Sequence, residues 1–187
     1  MDDLRVAQFI YLLLNRENLR NVITSITSSA VLILGRFTPE RKAVLDALAE
    51  EVRRHNLLPI IFDFDRVTSR DFTETVKILA GLSFFVIADI TKPKSISKEL
   101  EATVPDYKIP FVPIIHKRKH PFSMFRDLRT YDWMLPLVTY PSIPVLRQAF
   151  KPAILDRAWA KHRELQQKKM AETQVLSIEE FLHSSDK

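Results

Sequence analysis

The chain has 187 residues, enough for one ordinary domain with short extensions. Hydrophobic residues at 46% supply a core, and charged residues at 27% are typical of a globular protein. The absence of cysteine excludes a disulfide framework, a thiolate metal site and a cysteine nucleophile, and the basic excess, 28 against 23 acids for a net +5, is too mild and scattered to argue for nucleic acid.

The N-terminus carries Asp2 and Asp3 and lacks the basic start of a secretory signal. No run of 18 apolar residues is present to span a membrane. With no cysteines to oxidise, a cytoplasmic protein with no membrane partner is expected. Apolar residues from Leu4 to Ile26 recur at helical spacing, and Asn15-Arg16-Glu17-Asn18 divides them into two helices, about 3–14 and 17–27. So many large apolar groups, among them Phe9, Leu12, Leu13, Leu19 and Ile23, must pack on the domain or pair subunits. A homo-oligomer joined through the terminal helices is therefore expected.

From residue 30 the pattern becomes strand, helix, strand. Ala30 to Leu34 is a short apolar run ending at Gly35, which reads as a buried strand. Thr38-Pro39 starts a helix running to about Arg54, with Arg41 where a capping box would place an acid. Leu57 to Phe62 is the second strand, followed by Asp63-Phe64-Asp65, and Ser69 caps a helix to Ala80. Phe84 to Ala88 is the third strand, ending at Asp89, and Ser97 opens a helix to Val104. Phe111 to Ile115 is the fourth strand; Pro113 inside it predicts a place toward an edge of the sheet. A helical piece over 122–134, a short strand over 137–140 and a helical tail after Pro144 complete the reading. Ser177-Ile178-Glu179-Glu180 is a capping box for a last helix. The division is a helical extension (1–29), an α/β domain (30–142) and a helical tail (143–187). Strands alternating with helices predict right-handed crossovers and a parallel, three-layer sheet.

Ligands of such sheets bind beyond the C-terminal strand ends, at a switch point in strand order. Those ends carry Gly35, Arg36 and Phe37, then Asp63 and Asp65, then Asp89 and, at the next helix start, Glu99. Each has a plain structural use as well: a tight turn, an ion pair, a loop cap, an acid in a first helical turn. The only glycines are Gly35 and Gly81, so a glycine-rich phosphate loop is absent. Other amides and side chains would have to hold a nucleotide. The five histidines have no metal-ligand spacing, and the run His116-Lys117-Arg118-Lys119-His120 reads as a solvated loop or a patch for phosphate or an acidic partner.

The succession "VLILGRF", "LPIIFDFD", "FFVIADIT", "SKEL" and "IPFVPII" resembles Toll/interleukin receptor (TIR) domains over about residues 30–140. The resemblance implies a flavodoxin/TIR-like α/β fold. Glu99-Leu100 lies where that family has a Glu-Leu pair after its third strand. Some members cleave NAD with this glutamate, so the resemblance implies Glu99 as catalytic, with Arg36 and Phe37 in the loop beside the nucleotide; the strand-end residues Gly35, Asp63, Asp65 and Asp89 complete the expected nucleotide site. NAD would be substrate, and no cofactor is expected. The stretch from "QFIYLLL" to "YDWML" also resembles a cassette that follows other modules, such as pentapeptide repeats, in bacterial proteins. A signalling or defence role is implied, with a non-catalytic nucleotide-binding or assembly module as the alternative.

Overall fold

The structure, a computed structural model, describes residues 16–63, 71–92 and 96–172. The expected helix over 3–14, Asp65, the Ser69 cap and the capping box at 177–180 lie outside the described residues. Helix α1 (Arg16–Thr27) leads into β1 (Ala30–Gly35), α2 (Pro39–Arg54), β2 (Leu58–Asp63), α3 (Asp71–Gly81) and β3 (Phe85–Asp89). There follow α4 (Ile96–Thr103), β4 (Phe111–His116), α5 (Phe125–Leu128), β5 (Val138–Tyr140), α6 (Ile143–Phe150), a π-turn (Lys151–Leu155) and α7 (Asp156–Glu172).

The five strands are all parallel, in the order β2-β1-β3-β4-β5. This is the flavodoxin-like order, and the α/β parallel-sheet expectation holds. β1 and β3 are buried at every residue. That explains their unbroken apolar runs, because helices cover both faces. Val31, Ile33 and Ile87 meet α2, α6 and the start of α7 on one face; Leu32, Leu34 and Val86 meet α3, α4 and α5 on the other. The stretch after Tyr140 is part of this core: Leu146, Phe150, Ile154 and Ala158 are buried in it.

Helix α2 ends as its sequence allows. The Leu57 amide donates to Val52 O and the Asn56 amide to Arg53 O, with Asn56 at φ 58°. This is a Schellman ending, and asparagine enters the left-handed region more readily than other non-glycine residues. Pro152 removes an amide inside the last helix, and the backbone there widens into the π-turn.

Two expectations are corrected. β4 is not an edge strand, since it pairs with both β3 and β5. The Phe111 and Lys117 amides bond to the 133–140 side, so Pro113, sharing their parity, turns its missing donor to that side. There the pairing is interrupted between the isolated Phe111–Met134 bridge and Val138, and no bond is lost. The helix expected over 122–134 shrinks to Phe125–Leu128, because residues 133–135 are drawn along β4: Phe111 N donates to Trp133 O and Leu135 N to Phe111 O.

Candidate functional site

Parallel strands bring the ends of β1, β2, β3 and β4 to one edge. Leu34 pairs with Ala88, Gly35 with Asp63, and Asp89 with Ile114. The order reverses between β1 and β3, so the switch crevice opens between the turn after β1 and the loop after β3. Gly35 is needed there for close approach: a Cβ would come within 2.5 Å of Leu45 Cδ2 on α2. Arg36 and Phe37 follow, both half-buried.

Asp89 is 2% exposed and fully engaged. Its Oδ2 accepts from Arg41 Nε at 2.8 Å and also from Arg41 Nη2. Its Oδ1 accepts from the Thr91 amide at 3.2 Å and from the Thr91 hydroxyl. Arg41 Nη2 reaches the Tyr140 hydroxyl as well. Burial pulls Arg41 down, but Asp89 beside it and the bond to Tyr140 outweigh this and hold the guanidinium above its ordinary value. Burial, then the Asp89 charge, pushes the Tyr140 phenol up. Arg41 and Tyr140 are the site-edge residues that sequence reasoning did not assemble. The available signal was a cation in the first turn of α2, where the helix dipole disfavours it.

Glu99 lies in the first turn of α4, at the same edge as Arg36. It is 8% exposed, and the Thr73 hydroxyl in the first turn of α3 donates to its carboxylate. Burial pushes its carboxyl above the usual range, against the pull of Thr73 and Lys98. Its Oε2 has no hydrogen-bond partner and, among the described residues, it forms no salt bridge. Thus the structure gathers Gly35, Arg36, Phe37, Asp89 and Glu99 at one edge, with the backbone of Asp63 at the end of edge strand β2.

The first turn of α2 offers few donors to an anion. Pro39 has no amide, and the Arg41 and Lys42 amides already donate to Thr38 O at 2.9 and 2.8 Å. A phosphate-bearing group, including a flavin nucleotide, would find little amide seat there. No group of three or more His, Cys, Asp or Glu among the described residues could hold a metal ion. No described helix is long and apolar enough to cross a membrane. A groove of about 470 Å³ lies elsewhere, where β4 begins, between Tyr107, Ile109, Trp133 and Leu165, Lys168 and Lys169 of α7.

No protein-family model matches the chain, and no curated protein matches it. Among solved structures it is similar to a diflavin flavoprotein A3 from Nostoc sp., at 9% identity and a TM-score of 0.49, over 78% of this chain and 97% of that one. A likeness of that degree carries no argument about chemistry. The sequence reading expects no cofactor; the matched protein is by name a flavoprotein, and that expectation is not carried further.

Proposed function

We propose that the C-terminal edge of the sheet is a nucleotide crevice, and that the domain cleaves the nicotinamide–ribose bond of NAD. The observation that carries the reading is Glu99: a buried carboxylate at the ligand edge, with one oxygen unpartnered and, among the described residues, no salt bridge. In this reaction the C–N bond breaks with its electron pair passing to the nicotinamide ring nitrogen, which becomes neutral. The anomeric carbon becomes oxocarbenium-like and is stabilised by the Glu99 carboxylate. Water then adds to that carbon, and its proton leaves to Glu99 or solvent. Thr73 would hold the carboxylate in place, and Arg36 and Phe37 would border the nucleotide. The TIR resemblance around Glu99-Leu100 supports the same reading.

The test is nicotinamide release from NAD by the purified protein. Glu99→Gln should lower the rate on the order of a hundred- to thousandfold, the usual loss for one preorganised electrostatic contact. Glu101→Gln, two residues on, should keep the wild-type rate. Full activity in Glu99→Gln would end the assignment.

A second reading, an assembly module without catalysis, is favoured by α1, which leaves Val22 53% and Ile26 37% exposed one helical turn apart. It takes over if the wild type releases no nicotinamide in any assembly state. Val22→Asp/Ile26→Asp should then reduce the particle mass in light scattering; an unchanged mass counts against pairing through α1.

A further inference from the structure

The basic run after β4 is left unexplained by the crevice and the buried ion pair. His116 closes β4, and Lys117, Arg118 and Lys119 stand exposed on the turn that follows. The turn is pinned: Lys117 N donates to Tyr140 O at 2.9 Å and Lys119 N to His116 O at 2.8 Å. Arg118 N donates to His116 Nδ1 at 3.3 Å, while His116 Nε2 donates to Pro141 O at 3.1 Å. The His116 amide donates to the Thr91 hydroxyl at 3.1 Å, tying the turn to the loop that leads from β3 to Glu99.

Several surface cations elsewhere are paired: Lys42 with Asp46, Lys77 with Asp106, Lys151 with Asp156, Lys168 with Asp132. Among the described residues Lys117, Arg118 and Lys119 have no such partner. Among the described residues, the acids of the same edge are neutralised, buried or remote. Asp89 is neutralised by Arg41, Lys92 reaches Glu40 at 3.5 Å, Glu99 is buried, and Asp63 ends β2, three strands away from β4. Three exposed cations on a pinned backbone, unpaired among the described residues, thus follow a strand that lies two strand spacings, about 10 Å, from β1. The α2 start supplies little of this positive charge, because Pro39 has no amide and the Arg41 and Lys42 amides already donate to Thr38 O.

We propose that the Lys117-Arg118-Lys119 turn is the anion seat of this edge and binds the diphosphate of a dinucleotide whose other end lies in the β1/β3 crevice. The inference deepens the nucleotide reading by naming side chains, not a helix start, as the phosphate ligands. Lys and Arg at an exposed, pinned turn hold phosphate oxygens by charge, so binding weakens with salt.

The test is calorimetric titration of the whole protein with inorganic pyrophosphate and with NAD, at low and physiological ionic strength. Wild type should bind both, more weakly as salt rises. An exposed charge contact is worth a few-fold, so Lys117→Ala/Arg118→Ala/Lys119→Ala should weaken both on the order of tenfold. Its melting temperature should be unchanged, since the replaced groups are solvated. Arg53→Ala, at the far end of α2, should bind as wild type does. Equal pyrophosphate affinity in wild type and the triple variant overturns the proposal, and so does binding of a short DNA duplex without binding of pyrophosphate. Pyrophosphate binding is read without turnover. A wild type that binds it through these three residues but releases no nicotinamide sinks the catalytic reading and leaves this one standing.

Discussion

Glu99 holds two demands in tension. Burial favours its neutral form, whereas the proposed stabilisation of a cation needs the charged one. Its folded pKa is raised above the unfolded carboxyl value of about 4.3. Across the window between the two, the native state binds more protons than the unfolded state, so this group's contribution to stability falls as pH rises. Above the folded value the whole penalty is present. Glu99→Gln removes it, so the variant should melt at or above the wild type at neutral pH. That advantage should shrink as pH is lowered through the window. Thermal melts of the two proteins from about pH 4 to pH 8 test this, and a constant difference would count against a buried, raised carboxyl. If Glu99 acts as proposed, the rate of nicotinamide release should rise over the same window, because the proposed role needs the charged form.

At the level of elements, Arg41, Asp89 and Tyr140 join α2 to the ends of β3 and β5. Removing one partner of a buried pair leaves the other uncompensated, at a typical cost of about 3–5 kcal/mol. Arg41→Met should therefore destabilise strongly in urea unfolding. The double variant Arg41→Met/Asp89→Leu should recover most of the loss, since no charge is then stranded. A single-variant cost below about 1 kcal/mol would mean that the pair is already hydrated. The join also explains why an arginine is tolerated in a first helical turn: its partner is the strand below, not the dipole above.

For the whole molecule, the alternation of buried strands with amphipathic helices made the parallel sheet legible, and the runs Val31–Leu34 and Phe85–Ala88 could only be strands covered on both sides. Strand order was not legible, because nothing in "IPFVPII" reveals that Pro113 faces a gap between two pieces of its neighbour. The site was legible as a set of strand ends but not as partners. Asp89 reads alike whether it faces a ligand or Arg41, which lies 48 residues earlier in the chain. Thr73 gave no signal, because a hydroxyl in a first helical turn is ordinary. One feature of β2 reaches beyond the monomer. Leu58 N donates inward to Ser29 O, so Pro59, Ile61 and Asp63 direct their backbones to the open side of the sheet. Pro59 has no hydrogen to offer there, and a strand arriving from another molecule meets a gap near the start of the ladder. Pairing along the β2 edge is thereby disfavoured, and copies of this protein are steered away from fusing their sheets on that side.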